Sequence, residues 1–104
     1  MILTKLTISQ YKLIYQMVEA FFGDVRHGNV EKVVTALNNG MYVDIMNMNS
    51  ATALIIASMW GRIRIVSILL ELGASVTHRN FMGYTALMYA QIKGYKEIVK
   101  LLKK

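Results

Sequence analysis

The sequence has no cysteine and no proline. The first absence excludes disulfides and thiolate-bound metals, and it fits a reducing compartment. The second removes the residue that presets the backbone at a helix start. Carboxylates are scarce: Asp and Glu together number 6 against 12 Lys and Arg, a formal charge of +6, and the isoelectric point is near 9.7. Long apolar runs are missing too. The longest, Ala53 to Trp60, is broken only by Ser58 and falls far short of the roughly 20 residues a membrane-spanning helix needs. No continuous apolar stretch of a secretory leader opens the chain, because Thr4, Lys5 and Thr7 interrupt it. These absences lead us to expect a soluble chain with an intracellular, cytoplasmic location and no membrane partner.

Catalytic and ligand-binding patterns are equally absent. There is no Gly-x-Ser-x-Gly and no glycine-rich loop ending in Gly-Lys-Ser/Thr. His27 and His78 stand far apart, each without a histidine or carboxylate at metal-ligand spacing. His27 reads as a surface histidine at a helix end. Asp24 and Glu31 read as solvated charges on adjacent helices rather than an acid/base pair. We therefore expect no enzyme activity, no cofactor and no metal.

What the chain does have is apolar residues and a period. Hydrophobic residues make up 55% of 104 positions, and the mean hydropathy is +0.38. That excludes a disordered chain and fits one domain. It also exceeds what a small monomer needs, so part of the surface is expected to face a partner. Shifted by 33 residues, Gly28 falls on Gly61 and Gly94, Val33 on Val66 and Val99, and Gly40 on Gly73. Thr52-Ala53-Leu54 falls on Thr85-Ala86-Leu87, Ala57 on Ala90, and Asn47 on Asn80.

Each match has a physical meaning. Thr52 and Thr85 are predicted helix N-caps. Leu54 with Ala57, and Leu87 with Ala90, share one face of a short helix, where alanine admits a close neighbour. Gly61 and Gly94 end that helix. Ile65, Val66, Leu69 and Leu70, matched by Ile98, Val99 and Leu102, make the apolar stripe of a second helix. Gly73 and Gly40 close the second helices, and Asn80 and Gly83 turn the loop that follows. The unit is helix, tight turn, helix, extended hairpin-like loop. It cannot bury its apolar face alone, but stacked copies can.

These segments resemble the ankyrin repeat, most closely Thr85 to Leu102, Gly61 to Val76 and Gly28 to Gly40. The resemblance covers roughly residues 19 to 104 and implies an all-α solenoid of paired antiparallel helices joined by extended hairpin-like loops, with atypical terminal caps. We divide one domain, 1–104, into a cap segment 1–16, a degenerate repeat 17–46, a second repeat 47–79 and a truncated third repeat 80–104. Both first-helix starts have Ala where the family has Pro, and Ile55 or Met88 where it has His, so looser repeats are expected. Ser50 replaces the hairpin glycine kept at Gly83, and Asp24 stands where Ala57 and Ala90 stand. Terminal repeats need polar outer faces; Lys93, Lys96, Lys100, Lys103 and Lys104 suit one end. At the other, Ser9 is read as the cap of a helix through Tyr11, Ile14, Tyr15 and Val18, either a lengthened first helix or an added one.

The resemblance implies a protein partner bound through the hairpin tips and the concave face of the first helices, inhibiting that partner where it covers a working surface. By position the tips are Met46, Met48 and Asn49, then Arg79, Phe81, Met82 and Tyr84. The concave positions are Ile56, Met59 and Trp60, then Tyr89, Ile92 and Lys93. Exposed aromatics and methionines of this kind suit an interface, although at helical spacing Met59 and Ile92 also suit packing between repeats. Two other readings stay open. One is a nucleic-acid or polyanion site on the basic convex side, around Arg62, Arg64 and Lys96; it is disfavoured because aromatics and bases fall on opposite faces. The other is self-association, as a homodimer or as part of a longer array.

Overall fold

Helix starts set the frame of the computed structural model, which describes residues 5–104. Thr7 opens α1, Ile8–His27: its hydroxyl accepts from the Gln10 N–H at 3.1 Å, and the Gln10 side chain accepts from the Thr7 N–H at 2.7 Å. This reciprocal box satisfies two otherwise orphaned donors. The cap is therefore Thr7, not Ser9, which lies inside the first turn. The N-terminal segment is one lengthened helix, so position 16 falls within continuous helix. Residues 1–4 of the expected cap segment lie outside the described residues.

Five helices follow: α2 Val30–Asn38, α3 Ala53–Met59, α4 Ile63–Glu71, α5 Ala86–Lys93 and α6 Lys96–Leu102. Thr52 caps α3 by accepting from Ile55 N–H at 3.3 Å, and Thr85 caps α5 by accepting from Met88 N–H at 3.2 Å. Between the helices of each pair sits a glycine in the left-handed region, at φ 76, 72 and 73 for Gly28, Gly61 and Gly94. It lets the next N–H turn back onto the first helix: Asn29 to Asp24, Arg62 to Ala57 and Tyr95 to Ala90, at 2.8–2.9 Å.

The pairs α1/α2, α3/α4 and α5/α6 stack side by side, with α1, α3 and α5 in one row and α2, α4 and α6 in the other. The loops are hairpin-like, with a single antiparallel bridge among the described residues, Met46 to Thr52. The middle repeat, covered on both sides, supplies the centre of the core. Leu54, Ile65, Val66 and Leu69 are fully buried, flanked by Phe21, Val25 and Val33 before and Ala86, Ala90 and Ile98 after. Each large side chain removed from water this way contributes about 1.5–3 kcal/mol.

Neighbouring repeats are also tied by polar contacts in the loops. Asp44 accepts from Ser75 N–H at 2.9 Å, the Ser50 carbonyl accepts from His78 Nε2 at 2.7 Å, and the Asn49 carbonyl accepts from Phe81 N–H at 3.0 Å. Ile55, in place of the family's first-helix histidine, is buried instead. Among the described residues no helix is long and apolar enough to cross a membrane.

The N-terminal extension of α1 departs from the expected polar cap. Ile8, Tyr11, Leu13, Ile14, Tyr15 and Met17 of α1 are all exposed, Ile8 at 88%. Position for position, α3 and α5 begin at residues equivalent to Ala20, so residues 8–19 extend α1 beyond the repeat by about 18 Å.

Candidate protein-binding surface

The two hairpin tips are built by matching asparagines. Asn47 Oδ1 accepts from the N–H groups of Asn49 and Ala51 at 2.9 and 3.0 Å. Asn80 Oδ1 accepts from those of Met82 and Tyr84, both at 3.0 Å. With its oxygen occupied, Asn80 uses its amide nitrogen to donate to the Tyr89 hydroxyl at 2.8 Å. Tyr89 in turn lies 5.2 Å from the Tyr84 ring, at a tilt of 56°. The second tip is thus pinned to α5, while the bond from Phe81 to Asn49 pins it to the first tip.

The side chains left outside this framework are apolar. Met46, Met48, Phe81 and Met82 are exposed, Met48 at 85% and Phe81 at 69%, and Asn49 is exposed between them. Tyr84 is at the edge of exposure. Arg79 is exposed, but its guanidinium donates to the Gly83 carbonyl at 2.8 Å and braces its own loop. On the first helices the expected positions divide. Met59, Ile56 and Tyr89 are half-buried and pack against the core. Trp60, Ile92 and Lys93 stand outward, Trp60 at 49% and Ile92 at 66%.

Sequence spacing places these residues on one stripe, Ile56, Met59 and Trp60 on α3 with Tyr89, Ile92 and Lys93 on α5. Trp60 lies at the C-terminal end of α3, about 12 Å of helix from the tip that precedes Thr52. The surface therefore has two apolar ends, tips and helix ends, joined by half-buried side chains. None of the thirteen positions is a carboxylate, and the charges among them are Arg79 and Lys93.

The other groups singled out from sequence have structural tasks. His27 Nδ1 donates to the Gly23 carbonyl at 2.8 Å, at the end of α1. Asp24 accepts from the Asn29 amide at 3.0 Å. Arg62, counted among the convex bases, donates from Nε to the Arg26 carbonyl at 2.8 Å and ties the first two repeats. Among the described residues no three His, Asp or Glu side chains gather at metal-binding distance.

Sequence reasoning missed the exposed apolar flank of α1, and with it an open groove of about 730 Å³ between α1, α2 and residues 39–45. Its lining residues Phe21, Asp24, Lys32, Thr35 and Ala36 correspond, one period later, to Leu54, Ala57, Ile65, Ile68 and Leu69. The groove is thus the first repeat's stacking face, with Asp24, Lys32 and Thr35 in place of apolar residues. The polar substitutions at these three positions were the readable signal.

Comparison with known proteins agrees with this architecture. The sequence profile described as ankyrin repeats matches residues 21–104 in three copies. The chain is 38% identical over 78 residues to the inactive serine/threonine-protein kinase TEX14 of Bos taurus, covering 75% of this chain and 5% of that protein. It is 39% identical over 62 residues to the ankyrin repeat and SAM domain-containing protein 6 of Rattus norvegicus, 59% of this chain and 7% of that one. It is 44% identical over 54 residues to the human ankyrin repeat and KH domain-containing protein 1, 52% of this chain and 2% of that one. The chain spans a small fraction of the length of these curated relatives.

Proposed function

This chain belongs to the ankyrin-repeat family, a non-catalytic scaffold for protein–protein interaction, and from that premise we propose that it is an adaptor that docks a protein partner across its hairpin tips and the outward stripe of α3 and α5. The observation that carries the reading is the exposure of Met48, Phe81, Met82, Trp60 and Ile92 on a framework held rigid by Asn47 and Asn80. A soluble surface gains nothing by leaving such side chains in water unless a partner covers them. Methionine adapts to the partner's shape and Trp60 offers an anchor. Since the surface has cations and no carboxylate, the complementary partner is apolar and rimmed by acidic residues. Where it covers the partner's own working surface, docking inhibits that partner.

One observation favours a second reading. Residues 45–104 hold eight of the cations and two of the carboxylates, the whole net +6, whereas residues 1–44 hold four of each. A polyanion would meet that field on the convex side of α4 and α6.

One experiment separates the two. The immobilised chain captures partners at moderate salt beside the double variant Trp60→Ala/Tyr84→Ala, whose fold is checked by circular dichroism. The adaptor reading expects a protein held by the parent, lost by the variant and little affected by salt. Capture of the same material by both, with release by nuclease or high salt, moves the site to the basic side.

A further inference from the structure

The extension of α1 carries a second apolar feature, which adjoins the tips where Tyr15 meets Met48. Ile8, Tyr11, Tyr15, Val18, Phe22 and Val25 follow one another at alternating steps of three and four, so they form a single seam along the helix. At its C-terminal end the seam is the helix's attachment to the body, with Phe22 and Val25 buried. At its N-terminal end the same seam runs past the body with Ile8 and Tyr11 exposed, while Tyr15, half in water, brings its hydroxyl to 4.0 Å from Met48 Sδ. Beside it, about 100° round the helix, runs a polar stripe of Ser9, Lys12, Gln16 and Glu19, each the residue after a seam residue.

We propose that this seam is a dimer interface whose occupant is the α1 seam of a second copy, packed antiparallel. Three observations select that occupant. The first is area. The seam residues Ile8, Tyr11 and Tyr15, with Ile14 on its flank, expose on the order of 500 Å², mostly apolar, so full coverage in two copies reaches about 1,000 Å², the minimum for a specific interface. The second is charge. The seam has no charged residue, and residues 1–44 are neutral in sum, so two copies meet here without repulsion while their net +6 halves stay apart. A lipid surface is a poorer match, since the polar stripe offers Lys12 alone, offset by Glu19.

The third is direction. The seam faces the side on which Phe22 and Val25 meet the body, so parallel pairing at the usual 8–10 Å helix spacing drives two bodies into the same space. Antiparallel pairing sends them to opposite ends. It sets Ile8 against the partner's Val18, and Tyr11 against the partner's Tyr15, around a two-fold axis level with Leu13.

Sedimentation equilibrium of the whole chain tests the interface. The parent is expected to show a monomer–dimer equilibrium, with association weakened about a hundredfold or more by Tyr11→Glu, which places an unpaired charge in the seam. The melting temperature of Tyr11→Glu should match that of the dilute parent, because Tyr11 touches solvent rather than the core. Orientation is read by cross-linking, since the chain has no cysteine of its own. Copies with Ile8→Cys and copies with Val18→Cys, mixed and oxidised, should join unlike to unlike. A parent that is monomeric at every concentration, or a dimer that survives Tyr11→Glu, overturns the proposal; disulfides between like copies overturn the antiparallel arrangement. These outcomes do not depend on the Trp60 and Tyr84 surface.

Discussion

Ser50 is the one non-glycine residue at positive φ among the described residues, at 57°. One period later the same place in the hairpin is Gly83, at φ 85. An L-residue in this region costs about 1–2 kcal/mol, and a glycine gives back about 0.5–1 kcal/mol through the greater freedom of its unfolded chain. Ser50→Gly should therefore stabilise the protein by about 0.5–1 kcal/mol, which for a domain of this size raises the melting temperature by about 3–6 °C. Nothing else need change. The Ser50 N–H still donates to the Asn47 carbonyl at 3.0 Å, and the Ser50 carbonyl still accepts from His78. The reverse exchange is a clean partner, because among the described residues nothing lies within 4 Å of a Cβ placed on Gly83. Gly83→Ser should then lose about 1 kcal/mol through backbone conformation alone. Urea denaturation followed by circular dichroism reads both. If Ser50→Gly leaves the midpoint unmoved, or Gly83→Ser is harmless, strain at this turn is not a stability term.

Three further substitutions probe the framework. Asn80→Ala strands the N–H groups of Met82 and Tyr84 and the Tyr89 hydroxyl; a loss of about 2 kcal/mol is expected in urea titration, and a loss below a few tenths would mean water replaces the side chain fully. Gly61→Ala meets both a φ of 72 and the Tyr95 ring at 3.0 Å, so it should destabilise by about 1 kcal/mol more than Gly83→Ala, and equal losses would show that the ring yields freely. Thr85→Ala removes the cap of α5 and should cost about 1 kcal/mol, with faster hydrogen exchange at the Met88 amide as its local signature.

The sequence was most legible where one residue type answers one backbone need. Thr52 and Thr85 were readable as caps, and Gly28, Gly61 and Gly94 as helix ends, because little else serves those geometries and each recurs at the same interval. Asn80 was readable as a turn residue for the same reason. The start of α1 was harder because Thr7 and Ser9 are both good caps. Gln10, three residues after Thr7, decides between them by completing the reciprocal box. The exposed seam escaped notice because its spacing is that of a buried helix; spacing tells which residues share a face, not what covers that face. The concave stripe divided for a related reason. Met59 and Tyr89 share a helical face with Trp60 and Ile92, yet only the latter stand clear of the neighbouring repeat.

The glycine turns also act as seats. A Cβ on Gly28 would lie 3.2 Å from the Arg62 side chain, and one on Gly61 would lie 3.0 Å from the Tyr95 ring. In each case the occupant comes from the following repeat, at the position just after that repeat's own glycine. Each of the first two units thus offers a seat, and each of the last two carries the plug for the seat before it, which gives the stack a reading direction, like bricks keyed on one side. Excision of residues 29–61 would bring Arg62 and the chain after it directly onto Gly28, turning Tyr95 into the occupant of that seat. The array is in this sense editable by whole periods, and by nothing smaller.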